Sequence, residues 1–245
     1  MVDAELTAAR GRRESELAAG WAAAQGRVAE AARAAGRDPC DVRIVAVTKR
    51  FPASDIEILA RLGVTDVGEN RLQEARDKRA LLADLDGVAW HFIGQVQTNK
   101  AKAVSAIADQ VDTVDREGLV KALARGAVAH GRTVGCLVQV SLADDPGAAM
   151  NRGGCDPTEA LAIADEVAAA AGLQLMGVMG MAPLHGDPAR AFDVLAGAAA
   201  RIRAEHPAAT TISAGMSGDL AEAIAAGATQ VRLGTAILGQ RPAVG

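Results

Sequence analysis

RIVAVTKRFPASDIEILARLGVTDVGE, residues 43–69, is the stretch on which the fold turns. RIVAVT (43–48) is a short apolar run rich in β-branched residues. SDIEILARLG (54–63) places its apolar residues at helical spacing, with an acid early and a glycine at the end, and TDVGE (65–69) begins a second short run. A strand, an amphipathic helix and a second strand make a βαβ unit, in which the two strands lie parallel and are covered on both faces. The turn after the first strand reads TKRFPAS (48–54) and lacks the G-x-G-x-x-G pattern with which an open doubly wound sheet receives a dinucleotide.

The same alternation continues outward. Further runs follow at AWHFIG (89–94), QVDTVD (110–115), GCLVQVSL (135–142), LQLMGVMG (173–180), TTISA (210–214) and QVRLG (230–234), separated by helical segments such as NRLQEARDKRALLADL (70–85) and TEALAIADEVAAAAG (158–172). With the first two, these give eight βα units, the number that closes a barrel at about 250 residues. The expectation is an α/β protein with a single (β/α)8 TIM-type barrel domain over residues 1–245. An alanine-rich helix over about residues 3–35 opens the chain, and Gly20 marks the place for an interruption in it. An open doubly wound sheet is the alternative. No Pro-rich, Gly/Ser-rich or like-charge linker divides the chain, and ADDPGAAMNRGGCD (143–156) reads as an extended loop.

Composition narrows the function classes. Of 245 residues 50% are hydrophobic and 23% charged, which supports a packed core rather than disorder. A net charge of −4 argues against a nucleic-acid-binding face. Cys40, Cys136 and Cys155 are widely separated and lack CxxC or metal spacing, so reduced, mostly buried thiols in a cytoplasmic protein are expected and no metal is called for. Acids at Asp3, Glu5, Glu14 and Glu16 interrupt any leader-like apolar stretch. The uncharged run from Val167 to Leu184 is punctuated by glycines and Pro183, which suits a helix end and a buried strand rather than a membrane span.

In a barrel of this class the chemistry sits at the C-terminal ends of the strands. Lys49 ends the first strand, whereas Lys78, Lys100, Lys102 and Lys121 fall in helical segments. A partly desolvated amine beside Arg50 is favoured in its neutral, nucleophilic form, and the alternative is a lysine that snorkels to solvent. The loops after strands 7 and 8 are the usual phosphate site of such barrels. Here they offer Ser213, Ala214 and their neighbours leading into a helix, and Gly234 followed by Thr235. Arg232 interrupts an apolar strand and needs an acceptor, either a carboxylate such as Glu69 or the ring nitrogen of a cofactor. His91 reads as a satisfied core histidine and Asn70 as a helix N-cap, each with a functional alternative.

These residues lie in motifs that resemble the pyridoxal phosphate-binding homeostasis proteins, the YggS/PROSC family. The resemblance runs from about residue 40 onward through VAVTK (45–49), GENRLQE (68–74), WHFIGQVQTNK (90–100), GVMGMAP (177–183), SAGMSGDLAEAI (213–224) and VRLGTAILG (231–239). It implies the type III fold of pyridoxal 5'-phosphate (PLP) proteins, similar to the N-terminal domain of alanine racemase. It further implies that Lys49 carries the cofactor as a Schiff base, that Ser213, the Ala214 backbone, Gly234 and Thr235 hold its phosphate, that Arg232 faces its pyridine nitrogen and that Asn70 lines the pocket. The sequence departs from the family's common pattern at Val67, at Ala214 and in Arg152-Gly153-Gly154, the last of which puts in doubt any role tied to a lysine in that loop.

The resemblance implies a non-enzymatic PLP carrier in vitamin B6 and amino-acid homeostasis; PLP-dependent apoenzymes are the expected recipients and a monomer the expected state, and charge and hydropathy favour neither nucleic acid nor membrane as a partner. The alternative is a PLP-dependent amino-acid racemase, which needs a second acid/base group. The sequence has no tyrosine to serve and ends soon after the eighth strand, so His91 or a cysteine would have to substitute. A Schiff-base aldolase acting on a sugar phosphate through Lys49 is a third reading.

Overall fold

The structure is a computed structural model that describes residues 2–142 and 153–240, with side chains from residue 8 onward. Strands β1 (Arg43–Val47), β2 (Asp66–Glu69), β3 (Ala89–Phe92), β4 (Gln110–Val114), β5 (Val134–Gln139), β6 (Leu173–Met179), β7 (Thr211–Ser213) and β8 (Gln230–Leu233) form a closed parallel barrel in sequence order. The ring is sealed where β1 pairs with β8, Ala46 opposite Leu233. Around it lie α1 (Val2–Ala34), α2 (Ala53–Arg61), α3 (Leu72–Leu81), α4 (Ala101–Ile107), α5 (Glu117–Ala129), α6 (Ala160–Ala169), α7 (Pro188–Glu205), α8 (Leu220–Ala225) and the short α9 (Thr235–Leu238). The eight strands of the sequence reading are all present. Most of its extended loop, residues 143–152, lies outside the described residues.

Helix starts and stops follow local chemistry. Asp38 and Asp187 accept from the N–H two residues on and each precedes a proline, whose missing N–H is no loss in a first turn. Gly63, with φ 88°, turns the chain from α2 into β2. None of the described helices is long and apolar enough to cross a membrane.

The apolar core lies between the sheet and the helices, not inside the barrel. One cluster joins Phe92, Val111, Leu123, Val178 and Leu195 on the β3–β6 side, and a second joins Leu17, Val28, Ile56, Leu59, Trp90, Val231 and Leu233 on the β1–β2–β8 side. Strand parity then turns Arg43, Asp66, His91, Asp112, Gln230 and Arg232 inward. In β4 the register shifts between Val111 and Val114, so that Asp112 joins the lumen network while Thr113 reaches the cavity at the mouth.

Helix α1 is unbroken through Gly20, contrary to the interruption marked there. A Cβ at Gly20 would overlap the carbonyl oxygen of Ile237 in α9, so the glycine is present for close approach of two backbones rather than for a bend. Arg13 fastens the same helix with hydrogen bonds to Asp55 at 2.6 Å and to the Leu238 carbonyl at 3.1 Å. Gly→Ala in a helix interior ordinarily stabilises by about 0.5–1 kcal/mol. At Gly20 the sign should reverse, with Gly20→Ala costing roughly 1–3 kcal/mol through overpacking against backbone, measurable by urea unfolding.

Candidate functional site

A cavity of about 590 Å³ opens at the C-terminal mouth of the barrel, within the range of small-ligand and cofactor sites. Its walls come from around the ring: Lys49 after β1, Asn70 after β2, Gly94 after β3, Thr113 in β4, Gln139 in β5, Met179 in β6 and Arg232 in β8, closed by Met216–Gly218 after β7 and by Gly234 and Thr235. Among the described residues of this lining, Lys49 and Arg232 are the ionisable side chains.

The structure thus brings Lys49, Asn70, Arg232, Gly234 and Thr235 to one cavity. It does not bring Ser213 and Ala214 to its surface. The Ala214 N–H donates to the Gln230 carbonyl at 2.9 Å, and the buried Ser213 Oγ accepts from Arg232 Nη1 at 2.7 Å and from Gln230 Nε2 at 3.0 Å. Arg232 Nη2 donates to the Gly180 carbonyl at 2.9 Å, so neutral oxygens hold the guanidinium in place. Burial lowers its pKa, while the charges of Asp112 and Asp219 act in the opposite sense. Glu69, the carboxylate weighed as its partner, instead accepts from Lys78 at 2.6 Å and from Thr48 Oγ1 at 2.7 Å.

Several lining residues carry no signal of their own in the sequence. Gly94 is one: a Cβ there would strike the Asn70 carbonyl, and its own carbonyl accepts from Thr113 Oγ1 at 2.7 Å. Its place in the I-G-Q turn directly after a strand was the available clue. Met181, Met216 and Gln95 also reach the cavity, from loops whose course only the closed ring defines.

Beneath the cavity the lumen is polar. His91 sits between two aspartates, Nε2 at 2.9 Å from Asp66 Oδ1 and Nδ1 at 3.5 Å from Asp112 Oδ1. Asp112 also accepts from Gln110 at 2.8 Å and from Gln230 at 3.2 Å, and through Gln230 and Ser213 the chain of contacts reaches Arg232. His91 is therefore a core residue, absent from the described cavity lining. Burial disfavours its charge, but the nearby Asp112 carboxylate and the hydrogen bond to Asp66 prevail and push its pKa up to about 9. The folded protein thus keeps a proton that the unfolded chain releases near pH 6.5. The stabilisation is complete below about pH 6.5 and lost as pH rises to about 9. Denaturant unfolding should show stability falling by about 3 kcal/mol across this window, and His91→Gln should flatten the profile there.

Comparison with known proteins places the chain. The family model for the alanine racemase N-terminal domain matches residues 22–242. The pyridoxal phosphate homeostasis protein of Mycobacterium tuberculosis is 44% identical over 247 residues, covering 94% of each chain. The chain belongs to the pyridoxal phosphate homeostasis protein family. The Escherichia coli K12 member of this family is 34% identical over 232 residues, covering 93% of this chain and 97% of its own. Among solved structures, PipY of Synechococcus elongatus with PLP bound is 33% identical with a TM-score of 0.74, covering 86% of this chain and all of that one. The alanine racemase of Corynebacterium glutamicum, at 17% identity and a TM-score of 0.66, shares the fold with this family member. The barrel is thus of the alanine racemase N-terminal type.

Proposed function

We propose that the protein binds PLP covalently and reversibly through Lys49 and serves as a PLP carrier in vitamin B6 and amino-acid homeostasis. The observation that carries this reading is the convergence of Lys49, Arg232 and the Gly234–Thr235 turn on one cavity, in a chain whose full-length relatives are named for PLP homeostasis and which is similar to PipY, a protein solved with PLP bound. When bound, PLP supplies an aldehyde carbon that condenses with a primary amine and releases water. Lys49 supplies the amine. Thr235, Ser217 and the backbone N–H groups near them and Gly234 present donors for a phosphate at one side of the cavity. Asn70 and Thr113, with Gly94 between them, form the opposing wall.

Arg232, anchored on Ser213 and the Gly180 carbonyl, offers the ring a fixed donor that does not release its proton. Ser213 and the Ala214 peptide, in this reading, shape the phosphate wall from behind: the first by holding Arg232, the second by keeping β7 paired to β8. The racemase alternative gains no second acid/base group from the described lining, since neither His91 nor Cys136 nor Cys155 belongs to it. A cavity with one nucleophile and one fixed cation suits capture and release. Recipients in this reading are PLP-dependent apoenzymes, and the carrier works as a cytoplasmic monomer.

The test is to incubate the purified protein with PLP, reduce with borohydride and map the pyridoxyl mass. Mass confined to Lys49, with no interconversion of L- and D-alanine by chiral chromatography, supports the carrier. Turnover of alanine favours the racemase, and reduction at scattered lysines overturns the site.

A further inference from the structure

Arg50, which follows Lys49, is the one non-glycine residue among those described whose backbone is left-handed, with φ 67°. A residue with a Cβ does not rest there unaided. Helix α3 supplies the restraint. Glu74 Oε1 accepts the Arg50 N–H and also Lys78 Nζ, the latter at 2.7 Å. Lys78 Nζ in turn donates to the Thr48 carbonyl at 2.9 Å and to Glu69 Oε1 at 2.6 Å, and Glu69 Oε1 accepts from Thr48 Oγ1. The two peptide groups on either side of the Lys49 Cα are thus each tied to one ion-paired cluster, and Lys78 and Glu69 within it are almost wholly buried. A buried ion pair of this kind is a poor source of net stability compared with apolar packing, but it fixes geometry well.

We propose that Lys78, acting with Glu74, is the positioning residue for Lys49: it clamps the strained turn so that the amine enters the cavity already aimed, and thereby sets the rate at which the cofactor aldehyde is taken up. This rests on the reading of Lys49 as the attachment site. The assignment goes to Lys78 because its ammonium alone touches the Thr48 carbonyl, Glu69 and Glu74 at once.

The test uses Lys78→Met, Glu74→Gln and each combined with Arg50→Gly, since glycine accepts a left-handed backbone without restraint. In the cofactor-free protein, deuterium exchange of the Arg50 amide should accelerate at least about tenfold in either single variant. With PLP added, stopped-flow absorbance should show uptake slowed about tenfold or more at equal folded fraction, and Arg50→Gly should recover most of the loss. Glu74→Gln, on a partly exposed residue, keeps the test open if Lys78→Met does not fold. Variants that lose thermal stability while the Arg50 exchange and the uptake rate stay at wild-type values overturn the proposal, as does a failure of Arg50→Gly to recover uptake. If the wild-type protein takes up no PLP at Lys49, the attachment reading fails, whereas the exchange measurement judges the clamp separately.

Discussion

Lys49→Ala is expected to leave a folded protein that no longer retains PLP through gel filtration and shows no absorbance beyond that of free cofactor. The substitution removes a partly buried side chain at the cavity wall without touching the apolar clusters, so thermal stability should change little. In the proposed site what remains would be noncovalent, with Ser217, Gly234 and Thr235 facing the phosphate and Arg232 the ring, all of which line the cavity. Charge-assisted hydrogen bonds of about 1.5–3 kcal/mol each can still hold the cofactor weakly. Equilibrium dialysis should therefore report PLP binding at least about 100-fold weaker, equivalent to about 2.8 kcal/mol. Lys49→Arg should behave the same way, because a guanidinium keeps the positive charge but is no nucleophile at neutral pH. Retention of wild-type affinity by either variant would show that attachment is not what holds the cofactor.

Asp112→Asn is expected to have the largest effect on the fold itself. Asp112 is fully buried, stands beside His91, receives Gln110 and Gln230, and is the principal charge acting on Arg232. The isosteric amide keeps the volume but removes the charge that balances two buried cations. Breaking a buried ion pair on one side typically costs about 3–5 kcal/mol. Part of the loss should be avoidable by deprotonating His91, so the variant should lose less at pH 8.5 than at pH 6. The wild-type decline of stability between pH 6.5 and about 9 should shrink in the variant accordingly. Guanidinium unfolding at several pH values, on protein without cofactor, separates these effects from ligand binding.

The barrel was legible because its signal is local and repeated. Each strand is a short apolar run and each helix a periodic one, and these survive without knowledge of neighbours. The cavity residues at strand ends were legible for the same reason: a barrel places its chemistry there, so Lys49, Asn70, Arg232, Gly234 and Thr235 could be named from position. The contents of the lumen were not. Asp66, Asp112, Gln110 and Gln230 each look like an ordinary polar residue flanking an apolar run, and only closure of the ring turns them onto one another.

Lys78 was hidden differently. Its helix reads as highly charged, and nothing local tells that this lysine faces the sheet while Arg76 and Arg79 do not bury theirs to the same degree. Ser213 and Ala214 show the limit of motif reasoning: they precede the loop that lines the cavity, yet the Ser213 hydroxyl accepts from Arg232 and the Ala214 N–H donates to Gln230 behind the wall. Gly20 reads as a break in helix α1 until Ile237, from the far end of the sequence, is set against it.

The seam between β1 and β8 also governs when the site comes into being. Lys49 is made before Arg232, Gly234 and Thr235, so the amine exists before the cavity they share. Helix α1 can meet α2 soon after both are made, but its packing on α8 and α9 awaits the last two βα units. If Lys49 holds PLP as proposed, uptake waits for closure of the seam, and a ligand held from the β1 side and from the β8 side would oppose opening there by binding only the closed form.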